Sequence, residues 1–418
     1  MIEIKEPRFF YGWYIVLAGF LGNVAAGGIQ SFTFGVIYPA MSDALGWGRG
    51  AVSIGLALRP LGAAFMGPIV GPLIDKFGAK WLMFFSAIIG GIATIAVAEV
   101  TQIWQFYVVY GIAGALTFTG VGDLVATAVI PKWFIRKRGR ALGLATMGNP
   151  AAGMVLAPML AFVVIEFGWQ VGWWFLGLLI LFLGTPASLL MRRQPEDFGL
   201  QPDGDVDSLE QSDGQNENRK ATPVEVQWTA RESVQTLTFW LLLLAFTVGL
   251  TAVGGVVLHE YAFLTERGLS SPVAAAVLST HAVGAALARI IWGGLADRFP
   301  IRYVMSAIFF FSACGLAILL LSSSVPFAFL FAVVYGLSVG GTGVVQPTIW
   351  ANYFGRGFIG TIRGITMPAQ LVSVAAGPVM AGVLYDVTGG YTLPYQIFLA
   401  TLVIGGIIMI FTRQPEKS

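Results

Sequence analysis

The chain is 418 residues long, 56% hydrophobic and only 11% charged, less than half the ~25% charged content of a soluble domain, which excludes a water-soluble globular protein. The net charge of +2, from 24 Lys+Arg against 22 Asp+Glu, argues against a polyanion partner such as nucleic acid. One cysteine, Cys314, and two histidines, His259 and His281, exclude a disulfide framework and a four-ligand metal site, so no metal, cofactor or catalytic residue is expected.

A spanning helix needs roughly 20 predominantly apolar residues. Cut wherever charges or Gly/Pro/Asn clusters interrupt such runs, the chain reads as twelve spans. They lie at about 11–40, 51–75, 80–99, 103–130, 140–164, 169–191, 237–263, 271–296, 301–323, 326–350, 359–385 and 392–412. The first apolar run, Phe9 to Met41, far exceeds the ~7–15 residues of a signal-peptide core and is read as a retained span. Between the sixth and seventh spans, Arg192 to Glu232 is rich in carboxylates and poor in large apolar residues, which predicts a solvated, mobile linker. The expected fold class is all-α integral membrane, twelve transmembrane helices in two six-helix bundles: residues 1–191 and 237–418, joined by a linker over 192–236.

Lys and Arg near span ends stay on the cytoplasmic side. With both termini placed there, only four of the 24 cations fall elsewhere: Arg49 and Arg267 in outer loops, Arg59 and Arg289 inside spans. Arg363 counts with the cytoplasmic set. The expected location is a plasma membrane, with the bilayer as partner and a monomer as the working unit.

Gly71, Leu73, Asp75, Lys76, Phe77 and Lys80 at the end of the second span recur as Gly293, Leu295, Asp297, Arg298, Phe299 and Arg302 at the end of the eighth, offset by 222 residues (75 to 297). Val108-Val109-Tyr110-Gly111 recurs as Val333-Val334-Tyr335-Gly336, setting the fourth span against the tenth. The halves are therefore parallel repeats, related by an axis along the membrane normal, as in transporters that rock two bundles about a central site. Glycine in this motif lets helix ends approach closely, and the aspartate can bond a facing helix end.

This twice-repeated pattern resembles the cytoplasmic loop signature of the major facilitator superfamily. Trp133-Phe134-Ile135-Arg136-Lys137-Arg138, followed by Ala141-Leu142-Gly143-Leu144-Ala145-Thr146-Met147-Gly148-Asn149-Pro150, is similar to a signature of its monocarboxylate transporters. Tyr11-Gly12-Trp13 and the Pro195–Gly204 run resemble bacterial members of that family and the related oxalate:formate exchangers. The resemblance implies a proton-coupled carrier of a small organic anion, a monocarboxylate, working by alternating access; the alternative is an exchanger or efflux carrier, dicarboxylates included.

An ionisable group at mid-span costs about 2.5–3.5 kcal/mol and is read as functional. Arg289 and Asp123 lie roughly 12–13 Å above the cytoplasmic edge by helix rise, and Arg59 and His281 about 24 Å up. Arg289 either receives the substrate carboxylate, as the family's eighth-span arginine does, or pairs with Asp123 as a gate. Asp123, read as the one carboxylate deep in a span, either takes the coupled proton or forms a permanent ion pair. The family's eighth-span aspartate is Ala285 here, and its first-span lysine corresponds to Gln30, so that proton relay does not transfer. Arg59 is a second anion site, an outer-gate residue or a snorkelling structural cation. His281 donates to substrate, titrates, or is a neutral bonded imidazole, while His259 and Glu260 read as a boundary pair. Asn23, Gln30 and Gln370 are further candidates for cavity contacts, the last on an eleventh span with no basic group at depth. Tyr110 and Tyr335 mark helix packing or reach a ligand with a hydroxyl.

Overall fold

The computed structural model describes residues 10–28, 31–204, 226–321 and 324–417. In the first half the helices are α1 (Gly12–Gly27), α2 (Ser31–Leu45), α3 (Arg49–Phe77), α4 (Lys80–Ala96), α5 (Ile103–Leu116), α6 (Asp123–Trp133), α7 (Arg138–Thr146), α8 (Gly148–Phe167), α9 (Trp169–Leu179) and α10 (Thr185–Leu190). In the second they are α11 (Ala230–Val234), α12 (Leu237–Glu266), α13 (Ser271–Ala296), α14 (Ile301–Leu321), α15 (Val325–Phe354), α16 (Ile359–Thr388) and α17 (Thr392–Phe411).

Among the described residues there are 10 helical runs long and apolar enough to cross a membrane. They correspond to the third through twelfth predicted spans. The first predicted span contains α1 and α2, with residues 29 and 30 outside the described residues, and the second is α3, a helix of 29 residues whose apolarity is diluted by Arg59 and by Pro60, Pro68 and Pro72. Around the outside, Phe65, Phe162, Ile165, Phe182, Leu321 and Val387 stand exposed. Such an apolar girdle is stable only where lipid covers it, as in a multi-pass membrane protein. Inside, the buried side chains form two cores, one around Trp133, Trp173 and Phe106, the other around Phe239, Trp350 and Phe398.

The described termini and the linker share one end of the bundle, the linker face: Phe10 packs on Trp133, Trp133 Nε1 donates to the Arg192 carbonyl, and the Thr238 hydroxyl donates to the Arg413 carbonyl. Here the repeated aspartates join the halves crosswise. Asp75, at the end of α3, accepts the amides of Gly360 (3.0 Å) and Thr361 (2.6 Å) at the start of α16, the Thr361 hydroxyl, and the buried Lys132 ammonium at 2.8 Å. Asp297, at the end of α13, accepts the amides of Gly139 (2.6 Å) and Arg140 (3.1 Å) at the start of α7. Each half thus satisfies amides that the other half's helix leaves without intrahelical partners, with the carboxylate at the positive end of the helix dipole. Glycine permits the approach: a Cβ at Gly71 would fall inside 3.0 Å of the Gly360 carbonyl oxygen, and one at Gly139 inside 3.0 Å of the Gly293 carbonyl oxygen. Of the other signature cations, Lys76 and Lys80 lie over Phe77 and Trp81, Arg302 over Tyr303, and Arg298 is exposed.

Burial pushes the Asp297 carboxyl up to about 6, more than the Gly139 and Arg140 amides pull it down. Parted from α7 and hydrated, it returns toward its ordinary 3.8, so the joined arrangement binds the proton more tightly. The contact is therefore favoured as pH falls through about 6 and weakened as pH rises above it. Exchange protection of the Gly139 and Arg140 amides, read by mass spectrometry against an Asp297→Asn reference, is expected to rise several-fold between about pH 7.5 and 5.5. A wild-type profile parallel to the reference refutes the linkage.

The linker departs from the expected solvated segment. Residues 205–225 lie outside the described residues, but Pro195, Pro202 and Asp203 are buried against the first half. The Asp203 carboxylate accepts the backbone amides of Ile135 (3.0 Å), Arg136 (2.8 Å) and Lys137 (3.3 Å). The Pro195–Gly204 run is a docked strap that caps the turn between α6 and α7.

Candidate functional site

The fourth predicted span is interrupted halfway. Thr117 and Thr119 turn their hydroxyls back on the Ala113 and Ala115 carbonyls, the backbone widens into a π turn over Thr117–Val121, and Gly122 leaves the helix at φ −95°, ψ −126°. The chain restarts as α6 with Asp123 in its first turn. A carboxylate at a helix start inside the bundle faces a positive dipole end, and π turns of this kind occur frequently at functional positions.

Asp123 does not pair with Arg289. Its Oδ2 lies 3.3 Å from Arg363 Nη2, with the aspartate side chain 31% exposed and the arginine side chain 6% exposed. The sequence places Arg363 among the cytoplasmic flanking cations and leaves the eleventh span without a basic group at depth; the structure overturns both, with Arg363 buried on α16 beside Asp123. The cause is the close α3–α16 seam: Gly364 packs on Gly67 and Gly360 on Gly71, which draws the first turns of α16 into the contact between halves. Arg363 Nη1 also reaches Gln346 Oε1 of α15 at 3.3 Å and Gln370 Oε1 at 3.5 Å, and Gln370 Nε2 donates to Thr366.

Arg289 of α13 makes no ion pair with Asp123 but lies within its electrostatic reach, as Arg363 does. Its Nη1 donates to the Thr146 carbonyl at the end of α7, 2.7 Å away, and its planar head lies against Gly343 of α15. Three donors here are buried without a partner: Arg289 Nε, Arg363 Nε and Gln346 Nε2. Two guanidinium ions and one carboxylate leave one positive charge over. Unpaired buried donors around net positive charge suit an oxyanion, and the guanidinium fork suits a carboxylate.

The other sequence candidates lie apart from this cluster. Asn23 is buried and donates to the Gly19 carbonyl of its own helix, and Gln30 lies outside the described residues. Arg59 is buried in the first half over the Phe118 ring at 5.3 Å, near Tyr110, with Nε and Nη2 unpartnered. His281 occupies the repeat-related place beside Tyr335. The pairing of His259 with Glu260 is corrected: His259 bonds the Tyr391 hydroxyl and the Pro378 carbonyl, whereas Glu260 lies 2.6 Å from His281. Glu260 is 1% exposed, so Asp123 is not the only carboxylate inside a span.

A sequence model of the Major Facilitator Superfamily matches residues 19–259 and 241–418. Among similar proteins, the uncharacterized MFS-type transporter YcxA of Bacillus subtilis (strain 168) is 22% identical, over 95% of this chain and 94% of its own length. Monocarboxylate transporter 11 of Homo sapiens is 26% identical over 96% of this chain and 82% of its own, and monocarboxylate transporter 1 of Mus musculus 26% identical over 98% and 86%. Among solved structures, the transporter FucP in the outward conformation superposes with a TM-score of 0.71 at 14% identity, covering 97% of this chain and 99% of that one. The proton:xylose symporter XylE superposes at 0.70 and 13% identity, covering 97% and 96%.

Proposed function

This chain belongs to the major facilitator superfamily of membrane transporters, and from that premise we propose that it carries a small organic anion, a monocarboxylate, in symport with a proton by alternating access. The membrane is a bacterial inner membrane, both termini are cytoplasmic, and the monomer is the working unit. The observation that carries the reading is the single uncompensated positive charge of Arg289, Arg363 and Asp123, set among three buried unpartnered donors. The similar proteins named monocarboxylate transporters, each matching nearly the whole chain, support the substrate class.

An arriving carboxylate takes Arg363 from Asp123 and spans the free edge of Arg289. Asp123, stripped of its cation, then takes up a proton, because an unpaired carboxylate in this setting is costly. The empty site holds two guanidinium ions and one carboxylate; the loaded site holds two guanidinium ions, one bound anion and one neutral acid. Both carry the same charge, so both close on water at similar cost. An anion bound without its proton leaves Asp123 ionised, stripped of Arg363 and beside a second carboxylate, and enclosing that unpaired carboxylate is costly.

Two guanidinium groups favour one second reading, a dicarboxylate bridging Arg289 and Arg363 in an exchange carrier. A panel of short mono- and dicarboxylates decides between the two. The true ligand raises the thermal midpoint of the purified protein by mass action, adding about 2.7 kcal/mol at a hundredfold its Kd, and supports labelled counterflow in proteoliposomes. A monocarboxylate that does both, with uptake stimulated by an inward proton gradient, is the expected result. A panel in which no carboxylate shifts the midpoint or exchanges refutes the reading.

A further inference from the structure

Two turns along α13 from Arg289, about 12 Å by helix rise, a second cluster of polar groups is buried wholly within the second half and takes no part in the anion site. Glu260 Oε2 of α12 and His281 Nδ1 of α13 are 2.6 Å apart, with side chains 1% and 9% exposed. Glu260 Oε1 has no hydrogen-bond partner, and neither does the hydroxyl of fully buried Tyr335 on α15, whose ring stands edge-on to the imidazole at 5.3 Å. Among the described residues no Lys or Arg forms an ion pair with Glu260. Toward this end of the packed elements the other titratable groups are His259, Tyr261 and Glu266 of α12, Tyr385 and Asp386 of α16, and Tyr391 and Tyr395 at α17, while Arg289 of α13, Tyr353 of α15 and Arg363 of α16 lie toward the linker face. His259 is taken up by Tyr391 and the Pro378 carbonyl of α16, and the Tyr395 hydroxyl donates to the Val256 carbonyl.

A buried carboxylate is tolerated when its charge is matched and its lone pairs are used. Here only one proton, shared between imidazole and carboxylate, makes the pair neutral, and the unused Oε1 and Tyr335 hydroxyl leave room for a change of hydrogen bonding when that proton departs. The pair lies toward the face opposite the linker, six residues before the α12 end at Glu266 and ten after the α13 start at Ser271. We propose that Glu260 and His281 form a second proton-binding site, loaded from the opposite face, through which the coupled proton passes. Loading moves one proton from hydronium to the pair and leaves water; unloading returns it to water, with the imidazole neutral and the carboxylate ionised. No other bond is made or broken.

This inference rests on the proton symport proposed above, and its test keeps the two apart. In proteoliposomes with a trapped pH dye, counterflow of labelled pyruvate reads the carrier alone, and pyruvate-driven acidification reads the proton. Glu260→Gln, which preserves shape and a hydrogen bond to His281, is expected to keep counterflow within about twofold and to lose about nine-tenths of the acidification. Full acidification by that variant overturns the inference and leaves the carrier reading intact, whereas wild-type transport that follows sodium in place of protons overturns both the inference and the proton symport it rests on. A substrate-free arm compares thermal midpoints: between about pH 6 and 8 the wild-type and Glu260→Gln midpoints are expected to depend on pH differently, because removing the carboxylate changes the proton uptake of the pair. Coincident curves overturn the inference even if no anion is carried. Distinct curves without any pyruvate counterflow keep the proton-binding pair and count against pyruvate as the carried anion.

Discussion

Arg289→Ala is expected to abolish counterflow of the transported anion in proteoliposomes, by about a hundredfold or more. A carboxylate held by two charge-assisted hydrogen bonds gains about 1.5–3 kcal/mol from each, and each 1.4 kcal/mol is a factor of ten in affinity. The fold does not depend on the side chain to the same degree: Arg289 makes one bond, to the Thr146 carbonyl, and its Nε is unpartnered. Truncation removes a buried cation and leaves no buried partner charge stranded, since Asp123 keeps Arg363 at 3.3 Å. The variant is therefore expected to purify as a monodisperse species with a thermal midpoint no lower than wild type. Arg289→Lys, which restores charge without the two-pronged edge, recovers only part of the activity. Near-normal counterflow by the alanine variant removes Arg289 from the site.

Gly71→Leu is expected to stop transport by a different route, by preventing the linker face from sealing. The glycine backbone meets the Gly360 carbonyl so closely that even a Cβ has no place, and a carbonyl on a packed helix does not yield as a flexible side-chain tip would. Uptake is expected to drop more than about tenfold, with spin labels across the linker face reporting a wider separation of the halves. Gly382→Leu is the control, because no atom lies within 4 Å of a Cβ there. Unchanged distances and uptake in Gly71→Leu show that the seam is not the moving seal.

Much of this architecture is legible in the residues. Hydropathy locates the helices that carry the fold, and the repeat of Gly71 and Asp75 at Gly293 and Asp297 points to two copies of one interface. The site is legible only in part, because depth counted along a sequence assumes that a helix starts at the membrane edge. Arg363 breaks that assumption: α16 starts inside the contact between halves, so a cation in its second turn is buried. Glu260 shows a second limit. Adjacent residues on a helix point about 100° apart, so His259 and Glu260 face different neighbours; the matching depth of His281 on the next span was the available signal. Asp203 is a third case, since nothing in an acidic run distinguishes the carboxylate that will accept three amides from those that meet water.

The crosswise binding of Asp75 to α16 and Asp297 to α7 carries a kinetic consequence. Neither half owns the fastener that holds it, since each supplies the acceptor that finishes its neighbour's helix. Loosening one aspartate tilts the bundles and stretches the other, so separation proceeds as a cooperative, all-or-none event with few stable half-open forms. An aqueous leak through a partly released barrier is correspondingly rare, as a membrane transporter requires.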